Sequence, residues 1–392
     1  MSDTTLEWPD RTLESLATYL NGYAFKPRHW GDEGLPIVRI RELLDEDVEP
    51  DRYAGNEAAA FKIDDGDLIF SWSATLAALI WTRGPALLNQ HLFKVSPAAD
   101  VDRDFLNHLL NFHLEALAAR SHGTTMKHIT RGDLASHSVR LPQRNEQVRI
   151  AKVLNTLDEQ IRAAESITEK LVTIEGAVLN DLLRGIPEGS DRRLGDLLLT
   201  PPKNGYSPVA ASEQTGAYML GLGCLTRRGF VPRQLKHAPR RDTRLQPFLL
   251  RDGDVLMSRS NTRELVGQVG IFRDVGAPCY YPDLMMRLVP SESIGAEYLA
   301  IVLNSASVRR QIMNVASGTS GSMVKVSRSI VEALTLPVPA PVDQDRIVAA
   351  VVGLRSALDL ELEQLQKTRL LKVGLMRDLL TGLVRVPSGA SS

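Results

Sequence analysis

Along two stretches of this chain the apolar residues recur every three or four positions. From Glu146 to Leu183 they fall at Ile150, Leu154, Leu157, Ile161, Ala164, Ile167, Leu171, Ile174, Val178 and Leu182. From Asp343 to Leu380 they fall at Ile347, Val351, Leu354, Leu358, Leu362, Leu365, Leu371, Leu375 and Leu379. The mean step is close to that of a coiled-coil seam. Pro142 stands before the first run, Gly185 and Pro187 end it, and Gly382 and Pro387 end the second, as helix punctuation does. Two helices of about 40 residues are predicted, roughly 60 Å long at ~1.5 Å per residue. Elsewhere short β-rich runs lie between Gly, Pro and Asp. They predict strands at Leu35–Ile40, Asp67–Phe70, Leu76–Trp81, His91–Val95, Tyr218–Leu222, Asp254–Met257, Gly267–Phe272 and Leu284–Val289, and helices at Asp102–Ala119 and Ala296–Ala316. The globular parts are expected to be α+β, each on a twisted, barrel-like sheet.

The chain also repeats itself. Gln147 to Gly185 aligns without a gap on Gln344 to Gly382 at a constant offset of 197, with Arg149-Ile150 on Arg346-Ile347, Lys170 on Lys367 and Asp181-Leu-Leu183 on Asp378-Leu-Leu380. The offset continues upstream through Met126 and Met323, Thr130 and Ser327, Arg131 and Arg328. Asn21-Gly-Tyr23 recurs as Asn204-Gly-Tyr206, and Asp65-Gly-Asp67 as Asp252-Gly-Asp254. The duplicated unit is a globular domain plus a helix, which gives the molecule internal two-fold character. Between shared landmarks the copies differ: Trp72 and Ala74 stand where copy two has Arg259 and Asn261. A common scaffold with divergent loops suggests two different ligands read in one way.

A narrow seam needs a partner, and the obvious partner of each long helix is the other, as an antiparallel coiled coil. The alternative is two amphipathic helices, each lying on its own domain. The expected organisation is a first globular domain over 1–143, a central helix over 144–187, a second globular domain over 188–340, a C-terminal helix over 341–386 and a flexible tail over 387–392. The residues expected to hold the pair together are Ile150, Leu154, Leu157, Ile161 and Leu171 against Ile347, Val351, Leu354, Leu358 and Leu375.

At 392 residues the chain is long enough for two domains with separate cores. No signal-like start and no run of about 18 apolar residues is present, so a cytoplasmic protein with no membrane contact is expected. Cys224 and Cys279 lack paired spacing and are expected to be reduced core thiols. The formal net charge is −1, which leaves room for a local basic face. One such run holds Arg227, Arg228, Arg233, Lys236, Arg240, Arg241 and Arg244 with Asp242 as its single acid. It is either a phosphate-contacting surface or a solvated loop.

Catalytic constellations are not found. No Gly-Lys dipeptide and no His-Glu-x-x-His occurs. Thr200-Pro-Pro-Lys203 lacks the first amide or acid and the closing aromatic of an amino-methyltransferase motif, and Gly221-Leu-Gly223 lacks a third glycine. Pro282-Asp283 has no downstream acid-x-Lys to complete a nuclease site. No catalytic residue, no metal ligand and no cofactor bound by this chain is expected.

Taken in order, several motifs resemble those of type I restriction-modification specificity subunits. In copy one they are Asn21-Gly-Tyr-Ala-Phe-Lys26, Asp65-Gly-Asp-Leu-Ile-Phe-Ser71, Asn89-Gln-His-Leu92, Gly123 through Arg131, Leu141-Pro142 and Glu146-Gln147. In copy two they are Asp252-Gly-Asp-Val-Leu-Met-Ser258, Gly318-Thr319 through Ser327-Arg328, Leu336-Pro337 and Asp343-Gln344, with Pro282-Asp-Leu284 aligned on Gln90-His-Leu92. The resemblance implies a DNA-binding, non-catalytic subunit. Each globular half would be a target recognition domain reading one half of a bipartite site on double-stranded DNA, and the helices would set the spacing. Two modification (methyltransferase) subunits and the restriction (translocase and nuclease) subunits would be the partners, and S-adenosylmethionine, ATP and Mg would be used by them. Candidate DNA contacts are Arg259 and Asn261 as base readers, Trp72 at the matching place in copy one, and Arg227, Arg228, Arg233, Lys236, Arg240 and Arg241. For Arg259 and Asn261 the other reading is a structural turn capped by its own hydroxyls. Lys127, Arg131, Lys325 and Arg328, which recur near the helix roots, suit phosphate positioning or a solvated domain edge. The competing functional class is a two-headed coiled-coil adaptor without DNA binding.

Overall fold

The structure is a computed structural model that describes residues 8–120, 128–209, 211–239, 241–316 and 323–387. Lys127, Arg240 and the tail beyond 387 lie outside the described residues. The chain forms two compact units, one from residues 1–165 with 364–392, the other from 166–363. Both long helices, α4 (Arg144–Arg184) and α8 (Pro341–Leu380), therefore contribute to both units.

In unit 1, β1 (Asp10–Thr12) pairs antiparallel with β10 (Ser138–Arg140) beside the root of α4. β2 (Ala17–Asn21), β6 (Leu68–Ser71), β7 (Ala77–Ile80) and β9 (Leu92–Pro97) form an antiparallel sheet in the order β2-β9-β6-β7. β3 (Leu35–Val38), β4 (Arg52–Tyr53), β5 (Lys62–Ile63) and β8 (Ala86–Leu88) form a second in the order β4-β3-β8-β5, with β3 and β8 parallel. The helices α1 (Ile40–Leu44), α2 (Arg103–Arg120) and α3 (Arg131–Ser136) complete the domain. Its main core joins Leu13, Leu16, Phe70, Phe105 and Leu109 to Ile150 and Leu154 of α4 and Leu379 and Leu380 of α8.

Unit 2 repeats the plan. β11 (Asp191–Arg193) pairs with β23 (Thr335–Pro337). β12 (Leu198–Asn204), β17 (Val255–Ser258), β19 (Val269–Ile271) and β21 (Met285–Pro290) form a sheet in the order β12-β21-β17-β19. β13 (Tyr218–Leu220), β16 (Leu235–His237) and β20 (Cys279–Tyr280) form the smaller sheet, again with one parallel pair, β13 and β20. A short hairpin joins β14 (Leu225–Thr226) to β15 (Gly229–Phe230), and β18 (Ser260–Asn261) pairs with β22 (Val324–Lys325). The helices are α5 (Ala296–Leu303), α6 (Ala306–Val315) and α7 (Arg328–Ala333).

Two expectations need correction here. The sheets are open, and none closes into a barrel. One physical reason is repeated: the Asn111 amide donates to the carbonyl of Ala78 at 2.7 Å and accepts from its N–H at 3.1 Å. Asn304 does the same for Val269, at 2.7 and 3.1 Å. Each asparagine thus occupies the backbone groups with which the outer strand would pair onward. The helix expected over Ala296–Ala316 is two helices, because Asn304 is committed to β19 and Ser305 adopts extended backbone as the N-cap residue of α6.

The helix pairing is antiparallel in each unit. In unit 1, Asp158 meets Lys372 and Glu165 meets Arg369, while in unit 2 Glu175 meets Arg355 at 2.7 Å. All ten residues expected to hold the pair together are buried or half-buried. Four further apolar positions are not: Ile167, Ile174, Leu362 and Leu371 are 45%, 46%, 37% and 54% exposed. A strict alternation of steps of four and three from Ile150 reaches Thr168 and Glu175, and from Ile347 it reaches Glu361, Thr368 and Lys372. Those polar residues are the half-buried ones.

Candidate nucleic-acid interface

The repeat superposes two sheet ends. Gly22 N–H bonds the carbonyl of Leu92 and Gly205 N–H that of Met285, while Tyr23 N–H bonds Leu88 and Tyr206 N–H bonds Tyr281. A Cβ on Gly22 would lie 2.2 Å from the Leu88 oxygen, and one on Gly205 2.1 Å from the Tyr281 oxygen, so both positions require glycine. This register makes Pro282, Asp283 and Leu284 the counterparts of Asn89, Gln90 and His91. The sequence alignment of 282–284 on 90–92 is therefore corrected by one residue.

On this frame the neighbouring segments also correspond. Ile129 N–H bonds the Trp72 carbonyl at 2.8 Å, and Val326 N–H the Arg259 carbonyl at 3.0 Å. Ser73 bridges His128 as Ser260 pairs with Lys325. Trp72, His91 and His128 in unit 1 therefore stand where unit 2 has Arg259, Leu284 and Lys325. In unit 1 the result is an aromatic cluster, with the Trp72 ring 5.7 Å from His91 and 5.8 Å from His128. In unit 2 it is cationic, with Arg259 half-buried and Lys325 exposed.

Polar atoms without a partner gather at both sheet ends. Among the described residues, Trp72 Nε1 and Gln90 Oε1 in unit 1 and Arg259 Nε, Ser258 Oγ, Ser260 Oγ and Tyr281 OH in unit 2 are buried without a hydrogen bond. Buried polar groups are nearly always satisfied, so each of these atoms calls for a partner. The connecting loops differ as well. Unit 1 turns through Ala74 at φ +57°, a left-handed conformation rare for a residue with a Cβ. Unit 2 has a longer connection from Arg259 to Gln268, tied down by Arg309, which donates to the carbonyls of Val266 and of Glu264, the latter at 2.8 Å. Asn261 accepts from the N–H of Thr262 at 2.9 Å through its side-chain oxygen, which leaves its amide nitrogen free.

The basic run divides. Arg228 is held by α8, 2.5 Å from Asp359 and 3.4 Å from the Arg355 carbonyl. Arg244 makes two bonds to Asp242, at 2.7 and 2.8 Å, and lies over the Tyr206 ring. Its guanidinium holds the Asp242 carboxyl below the usual carboxylate range. Arg227, Arg233, Lys236 and Arg241 are exposed and form no ion pair among the described residues. Arg131 donates to the Tyr19 carbonyl at 2.7 Å, and Arg328 to that of Pro202 at 3.1 Å. Both recurrent arginines therefore tie their domains together, whatever else they touch. The sequence places His91 and Gln90 in one motif and His128 in another, without assigning any of them a contact. Their only signal was their position in the repeat, which strand register makes visible.

Known proteins resemble the chain in sequence and in fold. Residues 5–173 match the family model of the type I restriction modification DNA specificity domain. The chain is 31% identical over 170 residues to the EcoBI specificity subunit of Escherichia coli, covering 43% of this chain and 36% of that subunit. It is 23% identical over 390 residues to the EcoKI specificity subunit of Escherichia coli K12, covering 90% and 83%. The chain is thus similar, in its first domain and along most of its length, to type I restriction-modification specificity subunits. These named relatives are specificity subunits of type I restriction enzymes. The fold agrees: the crystal structure of the S subunit of a type I restriction-modification system from M. genitalium matches with a TM-score of 0.61, at 16% identity, over 97% of this chain and 98% of that one. The family model ends within α4, so over the second domain the likeness rests on the internal repeat and on the EcoKI alignment. No helix among the described residues is long and apolar enough to cross a membrane.

Proposed function

We propose that this chain gives a type I restriction-modification complex its DNA sequence specificity, with each unit reading one half of a bipartite duplex target. The observation that carries the reading is the repeated sheet end, where one backbone frame presents Trp72, His91 and His128 in one unit and Arg259 and Lys325 in the other. A shared frame fixes how the duplex is held, and the differing side chains read different bases. Arg259, with no partner of its own, suits the O6 and N7 edge of guanine. Arg227, Arg233, Lys236 and Arg241 supply sequence-independent phosphate contacts.

Two modification subunits and the restriction subunits are the proposed protein partners, on the strength of the likeness to specificity subunits. The exposed Ile167 and Ile174 of α4 and Leu370, Leu371 and Val373 of α8 offer them apolar helix surface. S-adenosylmethionine, ATP and Mg are assigned to those partners, and the complex to the cytoplasm. An adenine inside a duplex must be flipped out before methylation, so this chain's part is to hold and position the duplex.

The test is methylome sequencing of cells that express this chain with its modification subunits, alongside an Arg259→Ala variant. A split motif is expected. The variant should relax one position of one half-site, a loss of about 1–3 kcal/mol in discrimination. Binding by the purified chain that is independent of salt, or absent, would favour a protein adaptor and sink this reading.

A further inference from the structure

The ion pairs of the helix seam are not arranged symmetrically with the repeat. At the offset of 197, Asp158 corresponds to Arg355 and Glu175 to Lys372. The pairs Asp158–Lys372 in unit 1 and Glu175–Arg355 in unit 2 are therefore the same contact made twice, with both acids on α4 and both bases on α8. A third pair follows the rule: Glu165 meets Arg369, and the corresponding positions are Leu362 and Val172, both apolar. A fourth joins the first turn of α4 to the segment just past α8. Arg385 makes two bonds to the buried Glu146, each of 2.6 Å, and Glu188 occupies the position corresponding to Arg385.

The apolar contacts carry no such distinction. Leu179, Leu182 and Leu183 of α4 pack on the core of unit 2, and Met376, Leu379 and Leu380 of α8 pack at corresponding places on the core of unit 1. By hydrophobic complementarity alone, α4 could replace the matching part of α8, and two copies of one half-chain could pair with each other.

We propose that the seam charges exist to prevent this, selecting α4·α8 and rejecting α4·α4 and α8·α8. An α4·α4 pair sets Asp158 against Glu175 twice, Glu165 against Val172, and Glu146 against Glu188. An α8·α8 pair sets Arg355 against Lys372 twice and Arg369 against Leu362. The side chains of Glu175 and Arg355 are only 14% and 19% exposed, so like charges there are weakly screened and strongly disfavoured. Charge patterning that excludes wrong partners is how coiled coils choose right ones. The partner that fits the α4 seam is a helix bearing bases at the positions of Arg355 and Lys372. Each molecule then carries one copy of each head. This inference stands on the seam alone and is independent of what the heads bind.

The test uses the folded full chain with a protease site placed in the link between α4 and β11, cut after purification. Cut chains are incubated, and the association of the two halves is read by native mass spectrometry. The unswapped chain should remain wholly as one-to-one pairs of unlike halves. The double variant Glu175→Arg/Arg355→Glu keeps an opposite-charge pair in each molecule yet makes both like-half pairings attractive. Homodimers of each half should then appear, toward the statistical mixture in which half the pairs are mixed. Asp158→Lys/Lys372→Asp makes the same change in the other unit and serves if the first variant melts early. Homodimers from the unswapped chain at the level of the swapped chains would overturn the proposal, as would their absence from both swapped chains.

Discussion

At the scale of single residues, repetition separates structural duty from recognition. Gln147 donates to the carbonyls of Pro142 and Asp100 at 2.8 and 3.1 Å and accepts from the Asp102 N–H at 2.7 Å. Gln344 repeats the set, with Pro339, Ser293 and Gly295 at 3.1, 3.0 and 2.9 Å. Each pins the root of a long helix to its domain. Gln344→Ala leaves the buried Pro339 carbonyl without this partner and unties the exposed Ser293 and Gly295, so a loss of about 1–3 kcal/mol is expected in a urea titration. Gln344→Glu should rescue little, because a carboxylate cannot donate to two carbonyls. His113 supplies a second check. Burial first, and the neighbouring His137 ring second, push its imidazole from 6.5 down to about 4; the two rings meet at 3.0 Å. The folded state therefore resists a proton that the unfolded chain accepts. The stability this gives is complete above about pH 6.5 and is lost as pH falls toward 4, to a limit of about 3 kcal/mol. Chemical denaturation across that window should show a shallower acid limb for His113→Leu than for the parent chain; identical limbs would exclude the assignment.

At the scale of elements, a helix seam is defined by register more than by apolar content. Leu358 is 1% exposed, whereas Ile174 is 46% exposed. Leu358→Ala should lose about 2–5 kcal/mol, and Ile174→Ala should lose under about 0.5 kcal/mol, compared by thermal or urea unfolding. Comparable losses would put the isoleucine back in the seam. The same contrast shows what sequence could tell. Both long helices were legible nearly to the residue because Pro142, Gly185 and Gly382 punctuate them, and the strands were legible from short β-branched runs between turns. The seam's middle was not, since an apolar residue lies next to four of the five polar seam positions, Thr368 excepted, and spacing of three or four admits either. The closure of the sheets was not legible either: it turns on Asn111 and Asn304, whose amides meet strands 33 and 35 residues away. At the recognition site, Arg259 and Trp72 stood out because they broke the repeat. His91, Gln90 and His128 were legible as parts of motifs, but strand register was needed to place them at one sheet end, and it also moved the alignment at Pro282 by one residue.

At the scale of the whole molecule, the question is whether the two heads act independently. Each unit has its own main core, one built around Phe70, Phe105 and Leu109 and the other around Met257, Tyr298 and Leu303. The residues of the second core that come from the long helices, Leu179, Ile347 and Val351, lie outside the segment 194–317. That segment holds Arg259, Leu284 and the basic run, while Lys325, the root of α8 and its Gln344 clamp fall beyond it. Replacing 194–317 with the corresponding segment of a relative should therefore keep the helix pairing and exchange one recognition surface. The methylation motif of cells carrying the hybrid with its modification subunits is expected to change in one half-site and keep the other, with the spacer unaltered because α4 and α8 are untouched. The unchanged half-site serves as the internal control for folding and assembly. A hybrid that methylates, but with both half-sites altered together, would show that the heads share their reading, and the assignment of one half-site to each unit would fail.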